Sequence, residues 1–307
     1  MSPRLPETSG KPPRLLVVAN LHASRTGRMI GGALAFLAEH GFDIDLRQSV
    51  SRDALAGLVE DCCRDCDAIV VAGGDGTVNG AIPALIAAGK PVGILPFGSA
   101  KDLALTLDIP TDPIAAAGVI AAGHLRRIDV GRVNAAYFLN VASIGLAVNI
   151  AERQNAELKR QWGVFSYAVA AMDTLNAAQR FRAVVTCGDR SERVEAFQIA
   201  VGNGIHYGGG LMVSPDARID DGLLDAYAIE ATSVANLIAL APKLRDGTLV
   251  ERDDVAFFRG PSMRVETDTP MKVNTDGEVT TETPAEFAVL HRALEVFAPK
   301  RSRRRPF

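Results

Sequence analysis

Gly73-Gly74-Asp75-Gly76-Thr77-Val78-Asn79-Gly80 is the stretch on which the fold of this chain turns. The apolar run Asp67-Ala68-Ile69-Val70-Val71-Ala72 precedes it and reads as a fully buried parallel strand. Thr77 to Ala88 follows with Ile82, Leu85 and Ile86 on one side, the spacing of a helix. Glycines at 73, 74 and 76 let the chain turn sharply and leave no Cβ in the way of a phosphate. Amides at the helix start, with the helix dipole behind them, favour negative charge at the same point. Asp75 would repel a bare phosphate, so an acid in this loop points to a magnesium ion or to acid–base work. The expected ligand is a metal-bound nucleotide polyphosphate. Alone, Gly-Gly-Asp-Gly would serve equally as a chain reversal, and its place between strand and helix is what favours the nucleotide. No Gly-x-x-x-x-Gly-Lys-Ser/Thr run occurs, which excludes a Walker-type loop, and no Gly-x-Gly-x-x-Gly opens the first βα unit.

Working outward, strand and helix signals alternate over the first ~125 residues, the pattern of a parallel sheet covered on both faces. Arg14 to Asn20 is a strand, Ser24 to His40 a helix and Phe42 to Gln48 a second strand. Ser51 can cap the next helix, which turns Leu55, Leu58 and Val59 inward. Pro91-Val92-Gly93-Ile94-Leu95 is a fourth strand and runs into Pro96-Phe97-Gly98-Ser99-Ala100-Lys101-Asp102. Ligands of open α/β sheets sit beyond the carboxyl ends of the strands, so Asn20, the 73–79 loop and the 96–102 loop are expected in one site.

After His124 the texture becomes period-2. Such segments run at Ile128–Val133, Tyr137–Ala142, Arg182–Cys187, Glu195–Val201, Leu224–Ile229, Ser262–Val265, Pro270–Val273 and Phe287–Leu290. Gly208-Gly209-Gly210 and Asp220-Asp221-Gly222 separate some of them, and one amphipathic helix, around Phe165–Ala178, interrupts them. The expected fold is therefore α/β plus β: a doubly wound nucleotide-binding domain over 14–125 and a β-sandwich-like domain over 126–298. The active site is expected in the cleft between them. Residues 1–13 read as a disordered leader and 299–307 as a basic tail.

Asn274-Thr275-Asp276-Gly277-Glu278 is the second informative motif. Two acids split by a glycine could set one carboxylate on a substrate hydroxyl and the other as its support. They also spell an ordinary Asp-Gly hairpin turn with exposed acids. Asp221-Gly222 has the same ambiguity, turn or metal site. His206 and Tyr207 stand before the triple glycine and receive no role, and Trp162 in Lys159-Arg160-Gln161-Trp162 either touches a lipid interface or packs.

The 307 residues suffice for two domains, and 48% hydrophobic with 22% charged residues suits a globular protein. A net charge of −3 gives no footing for nucleic acid. Cys62, Cys63 and Cys66 crowd one helix end without partner histidines, so zinc is not expected. A Cys63/Cys66 redox pair is open, with buried or bystander thiols the favoured reading and a reducing cytoplasm the implied location. No apolar stretch approaches a membrane span. Five cations in Lys300-Arg301-Ser302-Arg303-Arg304-Arg305 form either a solubilising tail or a weak contact to anionic lipid, worth about 1 kcal/mol per basic residue.

With these motifs in order, the chain resembles the bacterial diacylglycerol-kinase-like lipid kinases, which are related to sphingosine and ceramide kinases. The resemblance covers Arg14 to Pro299. It rests on Asn20, the GGDGTVNG loop, Pro-Phe-Gly-Ser-x-x-Asp, Arg127-Ile128-Asp129, Asn203, Gly208-Gly209-Gly210, Asp220-Asp221-Gly222-Leu223-Leu224-Asp225, Asp276-Gly277-Glu278 and Thr283-Pro284. It implies transfer of the γ-phosphoryl group of ATP to a lipid hydroxyl, with Mg²⁺. By the same resemblance Gly73, Gly74, Asp75, Gly76, Thr77, Val78 and Asn79 bind ATP phosphates, together with Asn20, Ser99, Lys101 and Asp102. Glu278, with Asp276, serves as catalytic base, and Asp221 holds a structural magnesium with the main-chain oxygens of Arg218 and Leu223. A lipid alcohol, peripheral contact at the inner membrane face and a possible homodimer through a strand edge are the implied partners.

The chain departs from the family pattern at Leu21, Gly80 and Lys101, where proline, glutamate and asparagine are usual, and Ser99 takes a threonine's place. Lys101 either adds phosphate affinity or pairs with Asp75 or Asp102. These departures keep open a catalytically decayed nucleotide- or lipid-binding paralogue, beside a sphingoid- or ceramide-type kinase and a kinase for a soluble alcohol such as the NAD kinases.

Overall fold

The computed structural model describes residues 12–19, 26–49, 52–97, 101–146, 148, 179–208, 210–231, 236, 243 and 248–300. Residues 1–11 of the expected leader, 301–307 of the tail and the 165–178 helix, with Asn20, Ser99 and Trp162, lie outside them. The chain divides into two units, Met1–Ile128 with Arg292–Phe307, and Asp129–His291.

Unit 1 runs β1 (Arg14–Ala19), α1 (Thr26–Glu39), β2 (Asp43–Gln48), α2 (Arg52–Cys62), β3 (Ala68–Gly73), α3 (Asp75–Ala88), β4 (Val92–Pro96), α4 (Asp102–Thr106) and α5 (Pro113–Ala121). The strands are parallel in the order β2-β1-β3-β4. Leu15 to Ala19 and Ala68 to Ala72 are buried throughout, because helices cover both faces of a parallel sheet. Accordingly α1 packs with α5 and α2 with α3. Each fully buried Val, Leu or Ile in these runs contributes about 1.5–3 kcal/mol. α3 starts at Asp75, two residues before the expected Thr77, with Gly74 as its N-cap. An acid in the first turn meets the positive end of the helix dipole, so the loop's acid belongs to the helix. In α2, Leu55 and Val59 are buried and Leu58 partly so.

Among its described residues the second unit is built mainly of strands, with one short 3-10 helix over Thr248–Glu251. The strands are β5 (Leu125–Val133, entering from unit 1), β6 (Ala136–Phe138), β7 (Val141–Gly145), β8 (Phe181–Cys187), β9 (Arg190–Ala196) and β10 (Gln198–Gly202). Next come β11 (His206–Tyr207), β12 (Leu211–Met212), β13 (Leu224–Ile229), β14 (Val255–Gly260), β15 (Ser262–Thr267), β16 (Lys272–Thr275), β17 (Glu278–Glu282) and β18 (Ala285–Phe297). One antiparallel sheet has the order β14-β13-β10-β7-β16-β17. The other joins β9, β8, β15 and the first residues of β18. Ala142, Ile144, Ile199, Val201, Leu224 and Val273 of the first sheet share one core with Val185, Val194, Val265 and Phe287 of the second. Arg292, in the left-handed region at φ 53°, marks where β18 passes back to unit 1, and Val296 there pairs in parallel with Val92 of β4.

Two readings of the second half are corrected, and two strands carry no alternating signal. Tyr137–Ala142 is two strands, because Leu139 and Asn140 form a bend between β6 and β7. Glu195–Val201 is likewise split at Phe197 between β9 and β10. β14 went unread, since Val255-Ala256-Phe257-Phe258 is an apolar run without alternation. β17 also went unread because it is an exposed polar edge strand, a form that discourages pairing with other chains. All four cysteines are free, and burial pushes the thiols of Cys66 and Cys187 up, away from the reactive thiolate.

Candidate active site

Two loop systems carry the motif residues, one in each unit. In unit 1 the strand order reverses between β1 and β3, since β2 lies on one side of β1 and β3 on the other. Such a reversal opens a crevice at the carboxyl ends of the two strands. Ala19 stands opposite Ala72, and Gly73 opposite Pro96, so the three strands end side by side. Phe97 donates its amide to the Gly73 carbonyl at 3.0 Å. Gly73 is held to glycine by space: a Cβ there would come within 2.5 Å of the Thr77 side chain. Gly74 caps α3 with φ −90° and no side-chain bond, and its carbonyl accepts the Thr77 and Val78 amides at 2.8 and 3.2 Å.

Asp75 has a definite partner in this loop system. Its carboxylate accepts the main-chain amide of Asp102 at 2.8 Å, at the first residue of α4. The acid thus ties the 73–79 loop to the 96–102 loop and faces a second helix start. Asp102 itself is buried. Lys101 pairs with neither Asp75 nor Asp102; its ammonium donates to the Thr111 carbonyl at 3.1 Å and stays exposed. The pairing that would quench the site is therefore corrected. Thr77 and Asn79 lie half-buried on the first turns of α3, and Val78 packs into the core.

In unit 2 the remaining motifs meet at one end of the six-stranded sheet. Arg259 on β14 is opposite Asp225 on β13, Asp225 is opposite Gly202 on β10, and Gly202 is opposite Val141 on β7. Asp276 closes the row by donating its amide to the Val141 carbonyl at 3.0 Å. Residues spread over more than a hundred positions of sequence therefore share one sheet end.

Thr275 pairs with Glu278 across the two-residue turn Asp276-Gly277, whose φ values are 48° and 98°. Two successive positive φ angles make the tight hairpin form that matches strand twist. The turn is more than a connection. The Asp276 carboxylate accepts the amides of Leu139, Asn140 and Val141 at 2.7, 3.0 and 3.0 Å. Asn274 adds an acceptor for the Gly277 amide at 2.9 Å. Asp276 is thereby the anchor of the hairpin, and Glu278 is the exposed acid two residues on. The Asn203 amide spans the carbonyls of Asp129 and Leu139 at 3.1 and 2.9 Å, fixing the same bend from its other side.

Asp129, wholly buried, accepts the Gly222 amide at 2.7 Å and lies 2.9 Å from Nδ1 of His291. Gly222, at φ 76°, leaves the room that the His291 ring occupies; a Cβ would meet Nδ1 at 3.0 Å. Asp221 accepts its own Leu223 amide at 3.0 Å and the Arg259 guanidinium at 2.8 Å. Arg218 pairs through its side chain with Asp220 at 3.5 Å. Among the described residues no three His, Cys, Asp or Glu side chains converge as metal ligands. The Asp221 carboxylate thus carries an amide on one oxygen and a guanidinium on the other. Burial pushes the Asp225 carboxyl up to about 6, with Arg259 opposing the rise and Asp221 and Asp216 adding to it.

Three contributors had escaped sequence reading. Asn134, at φ 51°, donates to Thr281 Oγ1 and to the carbonyls of Glu282 and Pro284, and accepts from the Glu286 amide. Arg259 and His291 pair with acids 38 and 162 residues away in sequence. A left-handed Asn has a faint signal in its Asn134-Ala135 turn, whereas Arg259 and His291 have none.

These geometries can be set beside known proteins. A family model described as the diacylglycerol kinase catalytic domain matches residues 14–133. Another, the YegS C-terminal NAD kinase beta sandwich-like domain, matches residues 140–298. A diacylglycerol kinase of Mycobacterium tuberculosis is 31% identical over 279 residues, 88% of this chain and 89% of the relative. That of Staphylococcus saprophyticus is 30% identical over 251 residues, 80% and 82% of the two chains. A crystal structure of a candidate diacylglycerol kinase from Bacillus anthracis superposes with a TM-score of 0.81 at 25% identity, covering 96% of this chain and 98% of that one. With both halves matched in order and the relatives covered nearly end to end, this chain belongs to the diacylglycerol kinase family.

Proposed function

We propose that the protein is an ATP-dependent lipid kinase acting on a hydroxyl of a diacylglycerol-like lipid. The observation that carries the reading is the strand-order reversal at β1 and β3, with the Gly73–Asn79 loop and the α3 N-terminus at its mouth. Main-chain amides at that helix start suit the phosphates of a nucleotide. Magnesium bound with the nucleotide would neutralise charge as the phosphoryl group moves.

The acceptor side of the reading falls to the Asp276–Glu278 hairpin. Glu278 takes the proton of the lipid hydroxyl, the freed oxygen bonds to the γ-phosphorus, and the bond from that phosphorus to the β-phosphate oxygen breaks, releasing ADP. Asp276 positions Glu278, because its three amide bonds hold the turn from which β17 departs. Lys101, tied to Thr111, is left as a cation near the phosphate loop, which supports added phosphate affinity over a quenched site. No helix among the described residues is long and apolar enough to cross a membrane. The reading takes the lipid through peripheral contact at the inner membrane face.

The test is transfer of labelled γ-phosphate from ATP to a panel of lipid alcohols in mixed micelles with Mg²⁺, beside ATP binding by calorimetry. A labelled lipid product is expected. ATP binding without product across diacylglycerol, sphingoid and ceramide acceptors would overturn the reading.

A further inference from the structure

We propose that the guanidinium of Arg259 is the cation that holds the Asp220-Asp221-Gly222 turn, in the place of the divalent ion that family resemblance assigns to Asp221. The turn is rich in acid. Asp216, Asp220, Asp221 and Asp225 fall within ten residues, and the buried Asp129 reaches in from β5 to accept the Gly222 amide. Folding such a segment requires positive charge, and a metal ion is one way to supply it.

Here the charge comes from the sheet. Arg259 stands directly opposite Asp225 on adjacent strands, so the ladder between β13 and β14 sets its side chain beside the turn. Its Nη2 donates to Asp221 Oδ2 at 2.8 Å. Its Nε lies 3.4 Å from Asp225 Oδ1, inside ion-pair range but out of hydrogen-bond alignment. One planar fork thus serves two carboxylates, a role that suits guanidinium and not ammonium. The second Asp221 oxygen accepts the Leu223 amide, closing the turn locally. His291 on Asp129 and Arg218 on Asp220 add further contacts to these acids. A divalent ion brought to Asp221 would face a fixed positive charge at hydrogen-bond distance from its only carboxylate ligand. The turn is therefore built to be independent of metal.

The inference does not rest on the kinase reading, and its test reads stability alone. The whole chain is melted without nucleotide in EDTA, then in millimolar Mg²⁺ and in Mn²⁺. The wild-type transition is expected to be the same in all three. Arg259→Gln is expected to melt lower in EDTA by about 2–4 °C or more, and to regain part of the loss in Mn²⁺. Asp221→Asn on that background should abolish the regain. Arg259→Lys, which keeps the charge but loses the fork, should stay insensitive to metal with a smaller loss. A wild-type transition that rises in Mg²⁺ or Mn²⁺ and ceases to do so in Asp221→Asn would overturn the proposal. So would an Arg259→Gln protein as stable as wild type in EDTA. Should Arg259→Gln fail to fold, calorimetric titration of the wild type with Mn²⁺ decides: heat that vanishes in Asp221→Asn refutes the proposal, and its absence supports it.

Discussion

The Gly73–Asn79 loop and the Asn274–Glu278 hairpin are built from the same residue types, glycine beside acid, yet physics uses them in opposite ways. In the first, Gly73 sits in a regular strand and is glycine because the Thr77 side chain crosses where a Cβ would be. In the second, Gly277 has open space around it and is glycine because φ is 98°. The acids differ in the same sense. Asp75 accepts the amide of Asp102, 27 residues away and at the start of a neighbouring βα connection. Asp276 accepts three consecutive amides from a bend more than 130 residues earlier. A motif of glycine and acid thus says that the backbone is tightly placed, and only its surroundings say whether crowding or conformation does the placing.

The sharpest way to test the contrast is between the two acids of the hairpin. Glu278→Gln should lower turnover by about 10²–10⁴-fold as the proton acceptor is lost, while unfolding free energy stays within ~0.5 kcal/mol because the side chain is exposed. Asp276→Asn should instead lose roughly 2–4 kcal/mol in urea denaturation, since charge-assisted bonds to three amides are weakened together. An Asp276→Asn protein as stable as wild type would remove the anchor assignment.

A third acid, Asp225, extends the comparison to one held by a cation instead of by amides. Its carboxyl is pushed up to about 6 by burial, above the value near 3.9 of an unfolded chain. A raised folded value means that protonation favours the fold. This contribution is complete below about pH 4 and is lost as pH rises through about 6. Melting of the wild type from pH 4.5 to 7.5 should therefore carry a component on the order of 2 kcal/mol that is missing in Asp225→Asn. Parallel profiles for the two proteins would show that Asp225 is charged at no cost.

Gly73→Ala should cost about 1–3 kcal/mol by overpacking, and Thr77→Gly in the same chain should recover part of it as a coupling energy in a double-mutant cycle. Gly277→Ala should cost about 1–2 kcal/mol through its backbone alone, with no neighbour whose truncation relieves it. Equal rescue at both sites would erase the distinction between crowding and conformation. The smallest effect belongs to Asp75→Ser. Loss of the charge at the α4 start should lower stability by about 0.5–1 kcal/mol, read by denaturation without nucleotide.

The elements of unit 1 from β1 to β4 were legible in the sequence to within a residue or two because their information is local, whereas α4, α5 and the return of β18 beside β4 were not. Each βα unit is a buried apolar run, a glycine turn and a 3.6-period helix, and parallel strands covered on both faces show as uninterrupted hydrophobic stretches. Even there the acid of the loop misled, since Asp75 was assigned to the turn and belongs to the first turn of α3. Unit 2 was legible only in kind. Its alternating runs announced a β domain, but strands β9, β14 and β17 lay in polar or evenly apolar segments whose pairing depends on distant partners.

By itself, then, the sequence determined the two-part architecture, the phosphate-loop candidate and the glycine–acid character of the hairpin, because backbone conformation, hydrophobic period and helix dipole act between near neighbours. Tertiary structure alone decided what those acids do. Asp276 became an anchor because antiparallel pairing of β7 with β16 brings the Leu139–Val141 amides onto its carboxylate. Asp221 and Asp225 met the Arg259 guanidinium because β14 runs beside β13, placing it against them. A charge finds its partner through space, and the order of strands in a sheet is what converts distance along a chain into distance between atoms.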